Sequence, residues 1–389
     1  MPGVRTMASR LPQRVFDDGL LDDPGRLQAT DTGGLLRAAA TAGAQVRSTV
    51  TAAEEAGLAR LGGERPRALV LLTRSGAAPA AAPLLVALLG PSCPVPVVMA
   101  RTVPMWVGAL DIVLANTADP GDRELAEGID RAVRRGAQVV LTAPADGPVA
   151  TAAAGRSVLL VPRIEVPPGL ALPRTLTAGL LLLDTLGLLA TDPEVLAGEL
   201  DREAERDHVA HESFVNPAKS LALRLAEHTP LLWGTDPVAI AVAGHAAGAL
   251  AAHAGVVAHA AGFHEAATLP ALWQEAARAG GQEDVFHDPY EESTDDGVAV
   301  RPVLLGVLVN GGRDSGSEPS RAVALEAMPH ADVVTADEEL MVRAGEQGAS
   351  ACSAAVLALR FDLAALYLGL GRGVLGGPGW VGSTESVNG

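Results

Sequence analysis

The sequence predicts an α/β protein made of two successive parallel sheets, each flanked by helices. Three observations carry that reading. Short β-rich runs, turn clusters and longer Ala/Leu helical stretches alternate along the chain, the pattern of strands joined by helical crossovers. The alternation occurs in two series, separated by a charged helix. Composition supplies the cores: 48% of the 389 residues are hydrophobic and 19% charged, enough apolar surface to offset the entropy of ordering a chain of two or three domains' length.

In the first series the predicted strands are 68–73, 95–99, 111–115, 138–142 and 157–161, with helices over 79–89, 120–135 and 172–189. The second series has strands at 231–233, 256–260, 302–309 and 332–335, with helices over 217–227, 237–254, 265–279 and 350–370. Between them Asp192, followed by Pro193, opens a charged helix ending near Asp207, with Asp192 as N-cap and proline at the first helical position. The expected division is an N-terminal segment 1–25, a first unit 26–190, a second unit 191–370 and a tail 371–389 without periodicity. Glu283–Asp296, with seven carboxylates in fourteen residues, and the Gly/Ser-rich Asn310–Ser320 are expected as exposed loops.

Charge and composition narrow the function. With 29 basic against 46 acidic residues the net charge is −17, which repels a polyanion, and 11 aromatics are too few for base-stacking platforms, so nucleic acid is not an expected partner. Cys93 and Cys352 lie far apart in apolar settings and read as reduced thiols in the cytoplasm. Val238–Phe263 has no Asp, Glu, Lys or Arg, yet it is mostly Ala and Gly, carries His245, His253 and His259, and breaks at Gly255. It is expected as a buried helix followed by a buried strand, not as a membrane span.

Ligands of parallel sheets sit beyond the carboxyl ends of the strands, and anions favour helix N-termini. That directs attention to the turns Thr73-Arg74-Ser75-Gly76-Ala77, Asn116-Thr117-Ala118-Asp119-Pro120-Gly121 and Thr142-Ala143-Pro144-Ala145-Asp146-Gly147. None is a Walker loop or a G-x-G-x-x-G turn, so nucleotide binding loses its main support and no cofactor is implied. Thr73, Ser75, Asn116 and Thr117, with Arg74 as cation, form a candidate phosphate cradle; the alternative is that Ser75 and Asp119 serve as helix N-caps. His208-x-x-His211-Glu212 has two imidazoles at metal-ligand spacing but no third ligand, and no metal site is assigned. No Gly-x-Ser-x-Gly elbow suggests a hydrolase.

These turns, together with Leu172-Pro173-Arg174, Asn216-Pro217-Ala218-Lys219 and the segment Phe263-His264-Glu265-Ala266-Ala267-Thr268-Leu269-Pro270-Ala271-Leu272-Trp273, resemble the bifunctional phosphoglucose/phosphomannose isomerases. More closely they resemble the actinobacterial SIS-domain (sugar isomerase) proteins within that family, over about residues 30 to 370. The resemblance implies two SIS subdomains of α/β/α type, a homodimer, and a phosphorylated hexose bound between the halves. It implies Arg174 as the residue that stabilises an enediolate, Glu265 as the base and His287 as an assistant to ring opening. The family's Glu-Asn-x-Lys segment has Ala266 and Thr268 in place of its Asn and Lys, the His-Asn-Glu motif is reduced to His287-Asp288, and no lysine follows Lys219, the single lysine of the chain. Two functions are therefore expected as alternatives: an aldose–ketose isomerase, or a non-catalytic sugar-phosphate sensor acting on a partner in sugar-nucleotide or cell-wall metabolism.

Overall fold

In the computed structural model, residues 16–155, 157–279, 300–306, 317–337 and 339–376 are described. His287, the acidic stretch 283–296, residues 310–316 and the tail from 377 lie outside the described residues.

Among the described residues nine parallel strands form two sheets. The first has the order β2-β1-β3-β4-β5, from β1 (Ala68–Leu72), β2 (Val97–Ala100), β3 (Asp111–Asn116), β4 (Gln138–Thr142) and β5 (Val158–Leu160). The second has the order β7-β6-β8-β9, from β6 (Thr229–Gly234), β7 (His259–Gly262), β8 (Val300–Gly306) and β9 (Asp332–Thr335). In both, the first strand is internal, the second flanks it on one side and the third on the other. The two sheets share one winding rule, and each has a switch point beside its first strand, where ligands of open α/β sheets bind.

Helices α1 (Pro24–Thr30), α2 (Leu35–Ala40) and α3 (Ala42–Glu55) precede the first sheet; α4 (Ala78–Leu89), α5 (Arg123–Arg134), α6 (Gly147–Ala153) and α7 (Leu172–Thr185) accompany it. Helix α8 (Pro193–Arg206) leads to α9 (Pro217–Leu225), α10 (Pro237–Ala249), α11 (Phe263–Ala266), α12 (Pro270–Ala279), α13 (Ser317–Ala327) and α14 (Glu339–Gly371), which breaks at Gly345. A π-helical turn, Leu250–Ala254, extends α10, as the expected single helix 237–254 requires, and Gly255 then ends it in the left-handed region at φ 62°. The expected helix 265–279 is interrupted before Pro270, and the strand between it and α10 starts at His259 rather than Val256.

Period-two alternation within each strand sends its residues to two cores, so the strands are apolar on both faces. Val70, Leu72, Val113, Val139 and Leu141 face the outer helices α5 and α6. Leu69, Leu71, Ile112, Leu114 and Val140 face inward, and Leu232, Val303, Leu305 and Val334 do the same from the second sheet, into one continuous cluster built from α3, α4, α7, α8, α9, α10 and α14. The outer face of the second sheet is aromatic: Trp233 stacks on Trp273 at 5.6 Å, with Phe263 edge-on to both. Among the described residues two helices are long and apolar enough to cross a membrane, Pro237–Ala254 and Gly348–Gly371; the first is half buried inside the fold and the second wholly buried.

The charged segment 192–207 is a central helix. Asp192 caps it, accepting from the N–H groups of Glu194 and Val195. Its Glu199, Glu203 and Asp207, spaced four apart, form a buried stripe. Arg343 holds Glu199 (2.7 Å), and Arg360 holds Glu203 while donating to the Thr335 carbonyl.

Candidate functional site

The turn after β1 and the end of β3 meet at the carboxyl edge of the first sheet, beside its switch point. Thr73 is committed to the sheet: its N–H and its hydroxyl both donate to the Ala100 carbonyl (2.8 and 3.3 Å). Arg74 is held by carboxylates. Its Nε and Nη2 chelate Asp122 (2.9 and 2.7 Å) and its Nη1 donates to Glu124 (2.7 Å). Burial alone would lower its pKa, but these partners raise it. Asp122, not Asp119, caps α5, accepting from Leu125 N–H (3.0 Å). Asp119 instead turns its carboxylate onto the N–H of Gly121 (2.8 Å), and the Thr117 hydroxyl accepts from the Asp119 N–H (3.0 Å).

Ser75 is exposed and is followed by Gly76 at φ 104°, a conformation that favours glycine. The next residue, Ala77, occupies the N-cap position of α4 with no side chain capping it, so neither Ser75 nor Asp119 is a cap. Asn116, the last residue of β3, pairs in register with Thr142 of β4. Both line a cavity of about 20 Å³ under α4 and α7, with Thr175.

Thr142 also lines a neighbouring cavity of about 10 Å³, with Gln45, Thr49 and Arg174. Arg174, at the start of α7, is 9% exposed; its Nη1 donates to the Ile164 carbonyl (3.0 Å), and burial lowers its pKa. Gln45 Oε1, Thr142 Oγ1 and Arg174 Nε are buried without a hydrogen-bond partner and border this one space. Such a volume accommodates about one water molecule, which bonds two to four polar groups; a phosphate is too large for it. Arg174 thus shares a polar pocket with the edge of the first sheet, in a closed arrangement. Gln45 and Thr175 escaped the sequence reading. The available signal for Gln45 was a polar side chain among Ala42, Val46, Thr49 and Ala53, the inward face of α3.

Glu265 lies elsewhere. It sits on the four-residue α11 beyond the end of β7, is exposed, and does not line either cavity of the Arg174 side. The surrounding motif packs the outer core through Phe263 and Trp273 while His264 and Glu265 face outward. The structure therefore brings Thr73, Arg74, Ser75, Asn116 and Thr117 to one edge, places Arg174 behind it, and leaves Glu265 on the other sheet.

Lys219 is fully buried, and its ammonium donates to the carbonyls of Leu21 (2.6 Å), Val209 (2.8 Å) and His211 (2.6 Å). Burial lowers its pKa. His208 and His211 lie in the turn after α8, edge to face, rather than on a helix. Among the described residues no group of three or more His, Cys, Asp or Glu side chains is placed to hold a metal. Both cysteines are free, and burial pushes the Cys352 thiol up to about 12.

Residues 214–305 match the family described as the bacterial phospho-glucose isomerase C-terminal SIS domain. No curated protein matches the chain. Among solved structures, a protein from Silicibacter pomeroyi described as a phosphosugar isomerase aligns at 15% identity and TM-score 0.53, over 86% of this chain and 96% of its own. The C-terminal domain of glucosamine-fructose-6-phosphate aminotransferase from Francisella tularensis aligns at 10% identity and TM-score 0.54, covering 88% and 94%. A hypothetical protein from Thermus thermophilus aligns at 12% identity and TM-score 0.60, covering 90% and 89%. The double-sheet architecture is thus the fold of these solved structures, and residues 214–305 are similar to the bacterial phospho-glucose isomerase C-terminal SIS domain.

Proposed function

We propose that this chain binds a phosphorylated hexose without isomerising it, as a cytoplasmic homodimeric sensor descended from an aldose–ketose isomerase. The match of residues 214–305 to an isomerase SIS domain carries the sugar-phosphate part of this reading. Against turnover stand two local facts. Among the described residues of one protomer Glu265 lines neither cavity of the Arg174 side, whereas a general base must lie within hydrogen-bond reach of the proton it moves while the enediolate charge is stabilised beside it. The one lysine of the chain is bound to three carbonyls, so it has no role in ring opening.

Binding is assigned to the edge made by Ser75, Gly76, Asn116 and Thr117, where α4 starts without a side-chain cap and presents the positive end of its dipole. The test pairs a thermal-shift titration with a coupled assay converting fructose 6-phosphate to glucose 6-phosphate or mannose 6-phosphate. The expected result is a higher melting temperature with hexose phosphates and no turnover. Turnover that disappears in Glu265→Gln would restore the isomerase reading, and no thermal response to any hexose phosphate would overturn sugar-phosphate binding itself.

A further inference from the structure

The connection from β2 to β3, residues 101–110, is the crossover of the first sheet that contains no helix. It packs on the outer core by burying Val103 and Val107, and it leaves Met105 (65% exposed), Trp106 (47%) and Leu110 (68%) facing water. Three large apolar side chains within six residues make a patch rather than scattered exposure. Arginines frame it. Arg67, just before β1, holds its guanidinium 5.7 Å from the centre of the Trp106 ring and donates to the Trp106 carbonyl (3.2 Å) and to Asp111 (3.0 Å). Arg135, exposed at the end of α5, donates to the Met105 carbonyl. The adjoining Gly136 abuts Ala109 and borders a cleft of about 310 Å³ that Arg60 also lines. Residues 60–67, 104–111 and 130–138, which meet here, carry six arginines against three carboxylates, and one of those, Asp111, is buried. An apolar surface with a basic frame thus stands on a chain whose net charge is −17.

Such a surface fits a segment that is acidic and aromatic at once, and the sequence contains one. Residues 283–296 hold seven carboxylates and no Lys or Arg, with Val285, Phe286 and Tyr290 among them. By contrast, residues 1–15 have no carboxylate and residues 377–389 have one. We infer that the surface formed by Met105, Trp106, Leu110, Arg67 and Arg135 is an interface between two copies of this chain, and that it receives residues 283–296 of the second copy. The aromatic side chains of that segment cover Trp106 and Met105, and its carboxylates meet the arginines. The donor is a second copy because the segment joins α12 to β8 in the second sheet, whose outer core is separated from that of the first by the shared helical layer. Reciprocal exchange about a twofold axis closes the pair. The inference rests on the proposed homodimer and names its surface. That surface lies at the amino ends of β1 and β3, whereas the sugar-phosphate edge lies at their carboxyl ends.

Sedimentation velocity on the full chain, with a fluorescein-labelled peptide of residues 281–298 followed by anisotropy, tests this. The chain is expected to dimerise, with a dissociation constant that rises about tenfold or more between about 0.05 and 0.5 M sodium chloride. The peptide should bind the chain and compete with the dimer. Trp106→Ser and Arg135→Glu should each weaken both peptide binding and dimerisation by about tenfold or more, with an unchanged circular dichroism spectrum. A chain with the seven carboxylates of 283–296 replaced by Asn and Gln should fail to pair with itself but should pair with the Trp106→Ser chain, since one intact contact remains. Both surface variants should keep the response to hexose phosphates, so this inference can fail while sugar-phosphate binding stands. A monomer at all concentrations, a dimer indifferent to salt and to both surface variants, or a peptide that does not bind would overturn it. So would a monomer that binds the peptide more tightly once its own seven carboxylates are replaced, which assigns the surface to the segment of the same chain. Binding to equimolar phosphatidylcholine and phosphatidylglycerol vesicles without binding to the peptide would overturn it in favour of a lipid surface.

Discussion

At the scale of single residues, the buried charges are spent on architecture. Lys219 ties the segment before α1 to the turn between α8 and α9 through its three carbonyls, and its ammonium stands 5.5 Å from the centre of the Tyr367 ring. Lys219→Met keeps the volume but strands those carbonyls, so a loss of about 3 kcal/mol or more is expected, measured by urea denaturation. Asp207 behaves oppositely, because burial, reinforced by the charge of Glu203, raises its pKa well above the usual carboxylate range. A carboxyl whose folded pKa is raised contributes stability that is full below its unfolded value of about 3.9 and is lost as pH rises through its folded value. Asp207→Asn keeps an acceptor for Ala218 N–H and needs no proton. Its unfolding free energy should therefore fall less steeply than that of the parent above about pH 4, by up to about 1.4 kcal/mol per pH unit. An identical pH slope in the two proteins would show that Asp207 is already ionised in the fold. Arg74 shows why part of the site was illegible beforehand. A cation next to a strand end reads as an anion partner until Asp122 and Glu124, about fifty residues later, are found to claim it.

Elements pack closest where glycine lets backbones touch. A Cβ on Gly369 of α14 would stand 2.0 Å from the His253 carbonyl in the π-helical turn, a clash with backbone that no rotamer relieves. Beside it His245 of α10 meets Asp362 of α14 at 2.9 Å, both buried; burial alone would lower the pKa of His245, but Asp362 and the Ala358 carbonyl raise it. Gly369→Ala must push these two helices apart, so a loss of about 3 kcal/mol or more is expected by thermal or chemical denaturation. Gly348→Ala, whose nearest contact is an ordinary 3.8 Å, is the control and should change little.

The elements that could be read from sequence were those with a local signature. Strands β1, β3 and β4 are short apolar runs bounded by turns, and α8 and α9 announce themselves through Asp192-Pro193 and Asn216-Pro217. Helix α1 opens on the same Asp-Pro signal, Asp23-Pro24, which the sequence reading passed over, whereas α2 and α3 had no such signature, since their buried Leu35, Leu36 and Val46 are spread thinly among Ala and polar residues, and only the packing of α3 against α7 and α8 makes them a face. The carboxylate stripe of α8 points inward for a reason outside its own sequence: Arg343 and Arg360 arrive from α14.

At the scale of the whole molecule, the two sheets do not own separate interiors. The inward residues of both enter one helical layer, in which α3 packs on α8, α4 on α10, and the wholly buried Gly348–Gly371 on α8, α9 and α10. Stability scales with the apolar surface removed from water, at about 25 cal/mol per Å², and in this layer that surface is jointly held. Dividing the chain at the start of α8 would expose α3, α4 and α7 on one piece and α8, α10 and α14 on the other, together with the Glu199 and Glu203 stripe on the second. The expected outcome is a single cooperative unfolding transition for the full chain, coincident by tryptophan fluorescence, with Trp106 in the first half and Trp233 and Trp273 in the second, and by far-ultraviolet circular dichroism. Residues 26–190 expressed alone should aggregate or bind a hydrophobic dye rather than fold. Two separated transitions, or a soluble and cooperatively folding 26–190, would mean that the helical layer divides into independent halves. The shared interior would then serve to couple the edges of the two sheets instead of creating them.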